Sequence, residues 1–133
     1  MNGSKIWDFT AGENVLSLDW NQNGSLLGCT TKDKLVHILD PRSNDEKSRL
    51  SVQAHEGIKT HKMVWLDNEH LATTGFSKSN ERQIRLWDSR NFTKEVQTTF
   101  MDNASGIVFP TFDADSNILY TPGKVIHSFI KLK

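Results

Sequence analysis

Arg82-Gln83-Ile84-Arg85-Leu86-Trp87-Asp88, followed by Ser89-Arg90, is a short strand-like run that closes on Trp-Asp and turns at the aspartate. The chain makes the same closure at Ile38-Leu39-Asp40, where Pro41-Arg42 follow, and at Ile6-Trp7-Asp8. The three aspartates stand 32 and 48 residues apart. Between them lie short strands divided by Asn, Asp, Gly and Ser clusters, residues that turn a chain because they tolerate positive φ or bond their own backbone. Strands are expected at 15–20, 25–31, 34–40 and 48–53, then at 60–66, 70–75, 82–88 and 94–100. A third round runs through 106–112, 118–120 and the tail 125–132. Trp20 and Trp65 hold the same place in their rounds, 45 positions apart.

A closing signal at a period of about 40–45 residues belongs to four-stranded propeller blades. The fold class expected is therefore all-β, with about three blades in an incomplete propeller spanning 1–133. The blade end lies at 5–8, whole blades at 15–53 and 60–100, and a partial blade at 105–132. No segment keeps an apolar period of 3.6, so no helical bundle or coiled coil is expected. A blade must bury its faces against neighbours, so the end blades call for self-association or completion by another chain.

The totals narrow the function classes. Sixteen basic side chains balance sixteen acidic ones, which gives no long-range attraction to nucleic acid. No apolar stretch reaches the roughly 18–20 residues that cross a bilayer, so membrane insertion is not expected. One cysteine, Cys29, permits no internal disulfide and fits a reducing cytoplasm.

Chemical motifs are missing where an enzyme would need them. His55-Glu56 has no second histidine at position 59, and His37, His61 and His127 are scattered, so no metal site is expected. Asp113-Ala114-Asp115-Ser116-Asn117 lacks the later Gly and Glu of a calcium loop and reads as a turn. Gly123-Lys124 runs into Val125 without the spaced glycine of a phosphate loop. The protein reads as a non-enzyme without a cofactor.

Beyond these patterns, the chain resembles the coronin family of WD-repeat proteins. The resemblance rests on Trp20-Asn21-Gln22-Asn23-Gly24-Ser25-Leu26-Leu27 and on Ala54-His55-Glu56-Gly57. It rests most on Thr73-Thr74-Gly75-Phe76-Ser77-Lys78-Ser79-Asn80-Glu81-Arg82-Gln83-Ile84, continuing into Leu86-Trp87-Asp88, a loop that generic WD repeats do not share. It covers roughly residues 5–124, similar to the middle blades of a coronin propeller, with a divergent tail from Val125. The family's other blades, its C-terminal extension and its coiled coil have no counterpart in the sequence.

The resemblance implies an actin-filament partner, a part in organising the cytoskeleton and a place at the actin-rich cortex of the cytoplasm. It also gives structural parts to Trp7, Asp8, Asp33, Asp40, His55, Trp87 and Asp88. Turns between second and third strands crowd one face of a propeller, and here they carry Lys32, Lys34, Lys78 and Arg82, with Lys59 and Lys62 beside them. Actin filaments are acidic, so these six are the candidate contacts. Two alternatives remain open: an interaction scaffold without actin affinity, and a truncated, non-functional coronin fragment.

Overall fold

A computed structural model describes residues 8–43, 45, 49–122 and the backbone of 127–131. The described residues form three antiparallel sheets. The first orders β1 (Val15–Trp20), β2 (Leu27–Thr31), β3 (Leu35–Leu39) and β4 (Leu50–Gln53) as a meander. The second repeats the order with β5 (Lys62–Trp65), β6 (His70–Phe76), β7 (Arg82–Asp88) and β8 (Gln97–Asp102). The third pairs β9 (Thr111–Asp113), β10 (Ile118–Pro122) and β11 (His127–Lys131). This is the all-β, blade-by-blade architecture expected from the closing motif. The expected blade end at 5–8, with Trp7, lies outside the described residues except for Asp8, which is exposed.

Consecutive sheets stack through their first strands. Lys62 Nζ reaches Leu16 O, Met63 N donates to Ser17 Oγ and Trp65 N donates to Asp19 Oδ2, all at an offset of 46 residues. A constant offset means that β1 and β5 run in the same direction. Strand alternation then sends Val36 and Ile38 from one sheet, and Met63, Trp65, Leu71 and Trp87 from the next, into a shared core closed by Ala54 and Phe92. The edge of the Phe92 ring meets Trp87 at 5.4 Å between centroids. Ala72, Ile84 and Leu119 fill the next gap, between the second and third sheets.

The first sheet's other face is differently covered. Leu27, Cys29 and Leu39 are buried there with Phe9 packed against them, yet Leu18 is 62% exposed and Trp20 49%. Trp65, in the matching place of β5, is only 5% exposed.

The expected strand 106–112 shortens to β9. Pro110 has no N–H to give a ladder, and the carbonyl of Val108 is taken by the Thr74 hydroxyl at 3.0 Å. The expected outer strand 94–100 starts later, because Asp88 caps a 3-10 turn over Ser89–Asn91 by accepting from Arg90 N.

Candidate functional site

Strand direction sorts the loops into two ends. Because β1 and β5 are parallel, the β2–β3 and β6–β7 turns and the β4–β5 and β8–β9 links gather at one end. The turns that follow β1, β3, β5, β7 and β9 gather at the other.

The first end holds the lysines. Lys32 and Lys78 are exposed at matching places of the β2–β3 and β6–β7 turns. Both turns close the same way, with Lys34 N bonded to Thr31 O at 3.1 Å and Asn80 N bonded to Ser77 O at 3.0 Å. Lys34 (φ 71°) and Asn80 (φ 62°) occupy the left-handed region, which asparagine tolerates far better than lysine. Lys34 Nζ donates to Glu56 O at 3.2 Å. Lys59 Nζ lies 4.8 Å above the Phe76 ring and 3.5 Å from Ser105 O. Lys62 Nζ bonds Leu16 O at 2.5 Å and lies 5.4 Å from the centre of the Phe109 ring. None of these five ammonium groups is ion-paired with a described carboxylate: backbone carbonyls and aromatic faces hold three of them, so their charge stays available.

Arg82 is a correction to the candidate set. It is fully buried, with Nε and Nη2 each 2.6 Å from the Asp102 carboxylate and Nη1 3.1 Å from Gly106 O. The Asp102 carboxyl is held below its usual range chiefly by that bond from Arg82. Arg82 is a brace between β7 and the link after β8, and no part of it reaches a partner. Sequence position alone put it at the loop edge; the burial depends on Asp102, twenty residues on.

Of the residues given structural parts, Asp33, Asp40, His55, Trp87 and Asp88 each make side-chain hydrogen bonds, and Trp7 lies outside the described residues. Trp87 Nε1 donates to Thr73 Oγ1 at 2.9 Å, and Thr73 Oγ1 lies 2.9 Å from His55 Nε2. His55 Nδ1 lies 3.0 Å from Gln83 Oε1. Every group is satisfied when Thr73 donates to Nε2 and Nδ1–H donates to Gln83, which requires a neutral imidazole. Burial pushes His55 down to about 4. Gly75 makes room for the ring, since a Cβ there would collide with the His55 side chain. Thr73 and Gln83 lie in the stretch that carries the family resemblance, but nothing in the sequence tied them to His55; only pairing across β6 and β7 brings them to it. Asp33 accepts from the Thr31 hydroxyl, and that bond is the first cause of its lowered pKa. His37 and His61 are pushed down by burial as well.

The second end is rich in carboxylates. Asp40 accepts from Arg42 N at 2.9 Å, and Asp88 accepts from the Arg90 guanidinium at 2.7 and 3.0 Å. Those Arg90 bonds hold Asp88 down to about 2. Asp67 and Glu69 lie in the β5–β6 turn, where Glu69 pairs with Arg90, and Asp113 ends β9 with Asp115 in the turn beyond it. An open groove of about 470 Å³ runs along β1, β5 and β9, walled by Leu18, Trp20, Val64, Leu66 and Phe112.

Comparison with known proteins agrees with this geometry. A family profile for the WD40 domain of anaphase-promoting complex subunit 4 matches residues 1–68. The chain belongs to the WD40-repeat family. Within it, its relatives include coronins. Coronin-7 of Homo sapiens is 35% identical over 131 residues, which is 90% of this chain and 14% of that protein. Coronin-A of Dictyostelium discoideum is 38% identical over 110 residues, covering 83% of this chain and 24% of that protein. The crystal structure of the WD40 domain from Toxoplasma gondii coronin matches with a TM-score of 0.82 and 39% identity, over 87% of this chain and 30% of that one. The C-terminal WD40 domain of Sif2 shares the fold at a TM-score of 0.60 and 10% identity. The chain thus spans between a seventh and a quarter of the length of these coronin relatives.

Proposed function

We propose that this coronin-type segment is a non-enzymatic docking module for actin filaments, acting in the cytoplasm at the actin-rich cortex. Lys32, Lys34, Lys59, Lys62 and Lys78 form its contact face. The observation that carries the reading is the gathering of five lysines at one end of the sheet stack, unpaired with any described carboxylate. Such a face complements an acidic filament and steers its approach. The test is co-sedimentation with actin filaments. The chain is expected to pellet, less so as salt rises, and the triple change Lys32→Glu, Lys34→Glu, Lys78→Glu is expected to abolish pelleting. Equal pelleting of the triple variant rejects the face. Arg82 is left out of that variant because reversing it would break the buried pair with Asp102.

A second proposal concerns assembly. Leu18, Trp20 and Tyr120 are 62%, 49% and 45% exposed on the outward faces of the first and third sheets. Further propeller sheets, from a second copy or another polypeptide, are expected to cover them. Chromatographic size that grows with concentration, and shrinks in Trp20→Lys, supports this. A compact, cooperatively melting monomer at every concentration rejects it.

A further inference from the structure

The lysine end also carries the most exposed large hydrophobic side chain among the described residues: Ile58, 87% exposed on the β4–β5 link. An apolar residue at a loop tip is unremarkable when the loop is loose. This one is clamped. Gly57 N donates to Phe76 O at 2.8 Å, and a Cβ on Gly57 would stand 2.6 Å from that same oxygen, so the link lies flat on β6. Lys34 Nζ holds the carbonyl of Glu56 on one side of Ile58, and Lys59 on the other side is held over Phe76. The link is ordered before any partner arrives, so little conformational freedom remains to be lost on binding.

We propose that Ile58 is the anchor of the docking face, seating in a shallow apolar pocket of the filament rimmed by carboxylates that meet Lys34 and Lys59. This rests on the actin reading above. A buried apolar anchor with charges at its rim is how a protein surface concentrates binding energy in few residues. An anionic bilayer fits less well, because Asp33, Glu56 and Glu81 are interleaved with the lysines, and among the described residues at this end Ile58 stands out well beyond the half-exposed Phe109 and Val15.

The experiment is quantitative co-sedimentation of the full chain with actin filaments at two salt concentrations, with anionic phosphatidylserine vesicles in parallel. Ile58→Ala is expected to weaken pelleting about tenfold or more, since losing a buried aliphatic side chain is worth that factor. The ratio of variant to parent should hold at both salt concentrations, whereas the loss in Lys34→Glu should shrink as salt rises. Val96→Ala, which trims a 65% exposed side chain beyond β7 at the other end, should pellet normally. The thermal midpoint of Ile58→Ala should match the parent. Parent-like pelleting of Ile58→Ala overturns the anchor, and leaves the docking face standing if the lysine variant still fails. An equal loss in Val96→Ala, or vesicle binding that Ile58→Ala removes, also overturns it. A parent that does not pellet sinks both the anchor and the actin reading.

Discussion

The first and second sheets share one register and fill it with different chemistry. In the first, Leu27 pairs with Leu39 and Cys29 with His37. In the second, Leu71 pairs with Trp87 and Thr73 with Arg85. Cys29 and Leu39 therefore stand where the second sheet has Thr73 and Trp87. The second sheet turns those positions into a relay, from Trp87 through Thr73 to His55 and Gln83, sealed beneath the first sheet. The first sheet keeps them apolar and covers them with Phe9. The repeat thus conserves geometry, and each gap between sheets is free to choose its own filling.

Trp65 and Trp20 break the comparison most strongly. Trp65→Ala opens the gap between the sheets and is expected to cost about 3–5 kcal/mol in denaturant unfolding, against about 1 kcal/mol or less for the half-exposed Trp20. A similar loss at both would mean that the first sheet's outer face is packed as tightly as the inner gap. Acid comes next. Unfolded His55 takes up its proton near 6.5 and the folded residue only near 4, so the stability is whole above about pH 6.5 and drains as pH falls through that window. The full loss is about 3 kcal/mol, and His37 and His61 shift in the same direction. A Gln replacement at His55 should flatten the pH profile between 6.5 and 4 even if the variant starts less stable. Thr73→Val strips the relay of its hydroxyl and leaves His55 Nε2 and Trp87 Nε1 without partners, for about 2 kcal/mol. The smallest effect is expected at the turns, where Lys34→Gly should relieve a left-handed lysine and raise stability by about 0.5 kcal/mol. Asn80→Gly in the matching turn should gain less, because asparagine already tolerates that conformation.

Most of the fold was readable from local chemistry. Turn residues punctuate the chain at nearly every strand end, and the Leu39-Asp40 and Trp87-Asp88 closures mark where third strands stop. Pro110 was visible but its power to delay β9 was not, since that also takes the Thr74 hydroxyl on Val108 O. The candidate face was legible as lysines on turns. What decided between Lys78, exposed, and Arg82, buried, was a carboxylate on the next strand, which no local pattern encodes. Ile58 went unread for the opposite reason: it follows no periodicity, and only the clamped link around it gives its exposure meaning. Leu18 and Trp20 alternate as core residues should, yet their burial depends on a neighbouring sheet and not on their own strand.

The sorting of charge between the two ends has a physical consequence of its own. A chain whose formal charges cancel carries no monopole. Among the described residues, however, the lysine end, even with Asp33, Glu56 and Glu81 among its lysines, is less negative than the end where Asp40, Asp67, Glu69, Asp88, Asp113 and Asp115 outnumber Arg42 and Arg90, an imbalance of charge along the strand axis. In the field of an anionic surface such a body feels a torque before it feels a net pull. It would arrive already turned, lysine end first, and a misoriented encounter would be corrected by rotation without dissociation.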